Sequence, residues 1–208
     1  MSKIILLKHS HTNDPQTIEV GVDEAGRGAL AGPVTVAACI MPYGFQHELI
    51  KDSKLLKEDE RADARQMVLD NAIAYSVQHV DVEEIENTNI LKATLEGMRR
   101  ALEETANQHH FDFILVDGDQ FHGFDGKPFE TVVGGDNTYI SIAAASILAK
   151  TERDNYMKSL EGGTLYGWGS NKGYGTKQHI TAIKESGATE HHRDSFISHL
   201  LTTTNQLF

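Results

Sequence analysis

Three features of the sequence predict an α/β fold. Strand-like runs are interleaved with helical patterns, two of them flank a Gly-rich segment as a hairpin would, and a long run rich in Ala, Ile and Leu follows the last strand. Thr17 to Asp23 (TIEVGVD) alternates as a half-buried strand does, and Val34 to Ile40 (VTVAACI), after Gly32 and Pro33, is a β-branched apolar run that reads as its hairpin partner. Lys54 to Asn71 carries a charged helical pattern, and Ala72 to Val80 reads as a third strand. Leu91, Leu95, Met98 and Leu102 recur at helical spacing, which predicts a helix packed on the core. Phe113 to Val116 (FILV) is a short buried strand with Asp117 at its end, and Glu130 to Val133 is another that runs into Gly134, Gly135 and Asp136. Tyr139 to Leu160 predicts a long buried helix, with shorter helices over Thr176 to Ser186 and from Arg193 onward.

At 208 residues and 39% hydrophobic content, the chain suits one globular unit with an ample core and, at most, a small appended subdomain. The single cysteine, Cys39, cannot form an intramolecular disulfide, and no Cys/His cluster has zinc-ligand spacing, so a reducing cytoplasm is the expected setting. In its strand Cys39 is expected to be a small buried apolar residue. Only Ile4 to Leu7 are consecutively apolar near the N-terminus, too few for a signal-peptide core. No later run could span a bilayer, so no membrane association is expected. A formal net charge of -11 speaks against a nucleic-acid partner at first sight, but its distribution alters that reading. Glu58 to Asp125 holds 16 Asp/Glu against 5 Lys/Arg, so the rest of the chain is neutral on balance. Tyr166 to Phe208, with four bases, three acids and four histidines, is the segment best suited to meet a polyanion.

The chemistry begins at Val22-Asp23-Glu24-Ala25-Gly26-Arg27-Gly28-Ala29-Leu30-Ala31-Gly32-Pro33. Gly26-x-Gly28-x-x-Ala31 fits a loose dinucleotide fingerprint, but that motif must open a helix, and here Pro33 and Val34 to Val36 lead into a strand. Adjacent Asp23 and Glu24 would also repel a phosphate unless a cation lay between them. Asp117 and Asp136 likewise stand at strand ends, and the strand ends of an α/β sheet gather at one edge, where acids distant in sequence can meet. Four carboxylates persist side by side when divalent cations neutralise them, and an oxygen-only donor set selects Mg²⁺ or Mn²⁺ over zinc. Two such ions about 4 Å apart suit phosphodiester hydrolysis without a nucleophilic side chain. The His109-His110 and His191-His192 pairs make no metal site by themselves.

The segment GVDEAGRGALAGPVTVAA resembles the opening signature of the type II ribonucleases H. Further blocks follow in the family's order: Asp52-Ser53-Lys54-Leu55, Val116-Asp117-Gly118, Gly135-Asp136, Ser141 to Lys150 (SIAAASILAK), Arg153-Asp154, Asn171 to Thr176 (NKGYGT) with His179, and His192-Arg193 with Ser195-Phe196. The resemblance covers residues 18–198 and leaves out Met1 to Gln16. It implies an RNase H-like fold with a mixed five-stranded sheet flanked by helices and a small C-terminal helical subdomain. The division expected is an N-terminal extension over 1–16, a catalytic core over 17–165 and a substrate-binding helical segment over 166–208.

The implied activity is endonucleolytic hydrolysis of the RNA strand of RNA/DNA hybrids, and cleavage 5′ of single ribonucleotides embedded in duplex DNA, leaving 3′-hydroxyl and 5′-phosphate ends. Asp23, Glu24, Asp117 and Asp136 match the catalytic carboxylates that hold two Mg²⁺ or Mn²⁺ ions. Asp154 also matches a family position, but it lies about five turns, roughly 25 Å, along the helix that starts near Asp136, and is read as structural. Gly26-Arg27-Gly28 resembles the loop whose backbone meets the ribonucleotide 2′-hydroxyl. Tyr174 matches the tyrosine that stacks on the sugar of the next nucleotide. Lys54, Lys172, Arg193 and Ser195 match phosphate-contacting positions. The expected partners are hybrid and ribonucleotide-containing DNA duplexes, met by a monomer. Two other readings remain at this stage: an RNase H-fold nuclease acting on DNA, against which Gly26-Arg27-Gly28 and Tyr174 argue, and an inactive hybrid-binding module, against which the presence of all four acids argues.

Overall fold

The computed structural model of the chain describes residues 6–50 and 56–201. Five strands, β1 (Glu19–Ala25), β2 (Val34–Ile40), β3 (Ala74–Val80), β4 (Phe113–Asp117) and β5 (Phe129–Val132), form one sheet in the order β3-β2-β1-β4-β5. The hairpin expected around Gly32-Pro33 is present: β1 and β2 are antiparallel, as are β2 and β3, whereas β4 and β5 run parallel to β1. The sheet is therefore mixed, as predicted. The helices are α1 (Glu58–Asn71), α2 (Val82–Asn87), α3 (Ile90–Gln108), α4 (Ile140–Ser159), α5 (Gly163–Tyr166), α6 (Trp168–Asn171), α7 (Lys177–Ser186) and α8 (Asp194–Leu201).

The period-two alternation of the strands divides the core into two layers. Val20, Val22, Val36, Ala38, Ile114 and Val116 point to one face, where Met98, Ala101 and Leu102 of α3 cover them. Met98 and Leu102, with Leu95 partly buried beside them, belong to the helical stripe seen in the sequence; Leu91 lies outside this cluster. On the other face Ala25, Ala37 and Cys39 pack against Ala143, Ala144, Ile147 and Leu148 of α4, which Ala64 and Val68 of α1 cover in turn. Helix α4 thus lies between sheet and α1, and the apolar character of its first half, Ile140 to Ala149, follows from burial on both sides. Gly21 is what lets α4 approach β1, because a Cβ there would stand 2.2 Å from the Ser141 carbonyl carbon. Burial places Cys39 in this layer at 0% exposure and raises its thiol pKa, as suits an inert small apolar residue.

The N-terminal segment is sewn to this core. Lys8 N–H donates to the Thr138 carbonyl at 2.8 Å, and Ile140 N–H donates to the Lys8 carbonyl at 2.9 Å. The Glu19 carboxylate accepts from Ser10 Oγ at 2.8 Å, from both Thr12 N–H and Thr12 Oγ1, and from His11 N–H. At the other end of the chain α5 to α8 gather a separate apolar cluster, Tyr166, Trp168, Ala182, Ile183 and Ile197, that closes on Met157 of α4 and Ala31 of the β1–β2 loop. Among the described residues no helix is long and apolar enough to cross a membrane.

Candidate active site

The same alternation that builds the core aims the acids. Gly21, Asp23 and Ala25 face α4, and Leu115 and Asp117 of β4 face the same way. The β1–β4 register pairs Val22 with Val116, so one further step sets Asp117 level with Asp23. Asp23, Glu24 and Asp117 line one cleft of about 300 Å³ together with Gly26, Arg27, Gly28, Ser146, Lys150 and Tyr174. Residues separated by some 150 positions in the chain meet there.

Asp23 is 4% exposed, and its carboxyl pKa is raised well above the ordinary value, first by burial and then by the neighbouring charges of Glu24 and Asp117. A hydrogen bond from Ser146 and one from Glu24 N–H to Asp23 Oδ1, at 2.7 Å, pull it the other way. Glu24 lies beside Arg27, whose Nη1 is 3.4 Å from Glu24 Oε1. Asp117 Oδ1 accepts from Gly135 N–H at 2.7 Å. Asp136 follows in a single 3-10 turn, 1% exposed, with Asn137 Nδ2 donating to its Oδ1 at 3.1 Å. The structure therefore puts three of the four acids on the cleft wall and the fourth immediately behind Asp117, off the wall.

The loop from Gly26 to Pro33 is held by two buried arginines. Arg153 donates to the carbonyls of Pro33, Ala31 and Lys172 at 2.9, 3.1 and 2.8 Å. Arg193 donates through Nε and Nη2 to Gly32 O and through Nη1 to Arg27 O, at 2.8 to 2.9 Å. Gly26 adopts φ +94°, and a Cβ there would stand 1.9 Å from Arg153 Nε. A Cβ at Gly28 meets nothing within 4 Å, so that position is open on the cleft side. The ring of Tyr174 lies beneath Arg153 Cζ and Lys150 Nζ, at 5.3 and 5.8 Å from its centroid.

The positions expected to touch phosphate fare differently. Lys54 lies outside the described residues. Arg193 is fully buried with its guanidinium on backbone carbonyls, and burial lowers its pKa to about 9, so it holds the loop rather than presenting charge at the surface. Lys172, 7% exposed, donates to the Gly169 carbonyl and lies 3.7 Å from Glu58 Oε2. Ser195 gives both Oγ and N–H to the Glu86 carboxylate, at 2.7 and 3.1 Å. Each of these three already has a partner within the chain. Asp154, off the cleft wall, is 4% exposed and accepts from Lys150 at 2.6 Å and Arg61 at 3.2 Å. The sequence reading assigned no role to Ser146, Lys150 or Arg153. Ser146 and Lys150 line the cleft, and their spacing of four residues, with Ser146 inside the apolar first half of α4, was the signal that one line of the helix faces it.

A mixed sheet of this order, with acids at the ends of its adjacent parallel strands and a buried helix behind them, defines the RNase H-like class. The crystal structure of ribonuclease H2 from Pyrococcus horikoshii OT3 shares the fold with a TM-score of 0.75 at 22% identity, over 91% of this chain and 100% of that one. Bst-RNase HIII in complex with Mn²⁺ shares it with a TM-score of 0.73 at 17% identity, over 94% and 72% of the two chains. The family profile described as Ribonuclease HII matches residues 20–199. A ribonuclease HII from Phocaeicola vulgatus is 49% identical over 193 residues, covering 91% of this chain and 93% of the relative. The chain belongs to the ribonuclease HII family and is a ribonuclease H, an endonuclease that acts on RNA/DNA hybrids.

Proposed function

We propose that the cleft cuts the RNA strand of hybrids and also cuts 5′ of a single ribonucleotide in duplex DNA, by a two-metal-ion hydrolysis that leaves 3′-hydroxyl and 5′-phosphate ends. The observation that carries the reading is the convergence of Asp23, Glu24 and Asp117 with Gly26-Arg27-Gly28 and Tyr174 on one cleft. The donor set fits hard divalent cations. It is all oxygen, and burial first, then the charges of Glu24 and Asp117, raise the pKa of the Asp23 carboxyl; a cation would reverse the repulsive part. Asp23, Glu24 and Asp117 share the cleft wall, but among the described residues no three acid, His or Cys side chains already stand as a ligand shell, so closure would come from rotation about the soft carboxylate torsions.

Asp23, Glu24 and Asp117, with Asp136 behind them, would hold Mg²⁺ or Mn²⁺; Mn²⁺ is the ion in the Bst-RNase HIII complex. Such ions, when bound, activate the attacking water and stabilise the leaving oxygen. The remaining work belongs to the chain. Ser146 and the Glu24 N–H orient the Asp23 carboxylate. The backbone at Gly26 to Gly28, open at Gly28, meets the 2′-hydroxyl that separates RNA from DNA. Tyr174 offers its ring to the sugar beyond the cut. The protein acts in this reading as a monomer.

The test is cleavage of three duplexes by the full chain under one salt and Mg²⁺ condition: all DNA, DNA with one ribonucleotide, and a continuous hybrid. Cleavage of the last two with mapped 3′-hydroxyl and 5′-phosphate ends is expected. Cleavage of the all-DNA duplex, or of the hybrid alone, contradicts the reading.

A further inference from the structure

The C-terminal helices bury a polar chain inside an apolar cluster. Trp168, His179 and His192 are 0%, 0% and 2% exposed, set among Ala31, Met157, Tyr166, Ile183 and Ile197. The protons of this chain are assigned from both ends. At one end Thr189 N–H donates to His192 Nδ1 at 2.9 Å, so that nitrogen is bare and neutral His192 carries its proton on Nε2. At the other end His179 Nδ1 lies 3.0 Å from the Tyr174 carbonyl oxygen; a carbonyl only accepts, so Nδ1 donates and Nε2 of His179 is bare. That bare nitrogen accepts from Trp168 Nε1 at 3.1 Å and from His192 Nε2 at 3.2 Å. One tautomer of each ring satisfies every contact; protonating His192 on Nδ1 breaks the bond from Thr189 N–H, and protonating His179 on Nε2 breaks both bonds which that nitrogen accepts.

Buried polar chains carry a desolvation cost at each member, and an apolar filling of the same shape is often as stable. What this one adds is its endpoint. Tyr174 supplies the ring that lines the acid cleft. Its own N–H donates to the Asn171 carbonyl at 2.9 Å, and its carbonyl also accepts from Thr176 N–H at 2.8 Å. These are contacts within its own turn. The bond from His179 is the one that ties the Tyr174 main chain to the C-terminal cluster.

We propose that His179 and His192 are positioning residues for substrate choice: the ordered chain Thr189–His192–His179 fixes the Tyr174 main chain, and with it the angle at which the Tyr174 ring meets the sugar. The inference rests on the reading of Tyr174 as the residue that lets a single ribonucleotide serve as substrate. Substituting the relay therefore alters the preference between substrates, whereas loss of mere packing lowers activity on both together.

The experiment measures kcat and KM on the single-ribonucleotide duplex and on the continuous hybrid for the wild type, Tyr174→Ala, His179→Gln and His179→Asn, with Tm for each. Asn keeps an amide donor where Nδ1 stands, and Gln moves the amide to the place of Nε2. His179→Gln is expected to lower kcat/KM on the single-ribonucleotide duplex about tenfold relative to the hybrid, and His179→Asn to restore most of that loss. If Tyr174→Ala shifts the preference and His179→Gln does not, the positioning inference is overturned while the reading of Tyr174 stands. If Tyr174→Ala leaves the preference unchanged, the reading of Tyr174 fails and takes the inference with it. Equal losses on both substrates in His179→Gln and His179→Asn, tracking Tm, reduce the relay to packing. Should His179→Gln not fold, His192→Gln, which keeps a donor at the Nε2 position, is compared with His192→Asn, which does not; an unchanged preference across that pair overturns the proposal.

Discussion

Gly26 and Gly28 are two residues apart and answer to different demands. Gly26 is required by the protein itself, through a φ of +94° and the Arg153 side chain that fills the space of a Cβ. Gly28 has ordinary φ and open space, so nothing within the chain requires a glycine there. Gly26→Ala should therefore cost about 1–3 kcal/mol of stability, seen as a lower urea midpoint. Gly28→Ala should leave the midpoint unchanged and lower hybrid cleavage. A stable Gly26→Ala would mean that the loop conformation is not enforced by Arg153. Residue by residue, the acids were legible because a carboxylate that closes a buried apolar strand is costly unless something balances its charge. The bases were less so: nothing local in the sequence distinguishes a lysine or arginine that meets phosphate from one such as Arg193 whose guanidinium is consumed by Gly32 and Arg27 carbonyls. The partners of Arg193 lie some 160 residues away in the chain.

The elements followed the same logic of local against distant information. Val34–Ile40 was read to the residue because an apolar β-branched run buried on both faces has no competing pattern, and α4 was read within one residue at each end. The first strand, read as Thr17 to Asp23, runs from Glu19 to Ala25 and so carries Glu24 within it. Helices α2, α5 and α6 were missed, since runs of four to six residues are too short to show a helical period. The cap of α2, Asp81 accepting from Glu84 N–H at 2.8 Å, was the one legible sign of it. The clamp on the β1–β2 loop belongs to this scale, because Arg153 of α4 and Arg193 before α8 hold it from two elements. Arg193→Lys keeps a charge but loses the planar fork, leaving buried carbonyls short of donors at a cost of about 1–3 kcal/mol. Because the clamp serves the loop as a whole, cleavage of hybrid and of single-ribonucleotide duplex should fall in parallel. A change in preference between the two substrates would place Arg193 closer to the substrate than its bonds do.

Taken as a whole, the molecule keeps most of its excess acid away from its site: the acids between Glu58 and Asp125, Asp117 apart, sit mostly on exposed helix faces, while Arg27 and Lys150 line the cleft beside its three carboxylates. Its response to acid should come from the C-terminal unit. Burial lowers the pKa of His192 to about 4, with the proximity of His179 and His191 adding to it, and burial lowers that of His179. Between the folded and unfolded values the unfolded chain binds more protons, so this stability is present above the ordinary value of 6.5 and is lost as pH falls toward 4. Tm should decline across that window, and His192→Gln should flatten the decline; an unaltered slope would locate the acid response elsewhere. Asp23 has the opposite sign, a raised carboxyl pKa that makes its ionised form a source of strain at neutral pH. The most direct measurement is therefore made on Asp23→Asn at neutral pH: its rate on an RNA/DNA hybrid in Mg²⁺, with its Tm in a chelator. Loss of cleavage together with a Tm at or above that of the wild type is the result the account predicts. Cleavage near the wild-type rate by a folded Asp23→Asn would contradict it.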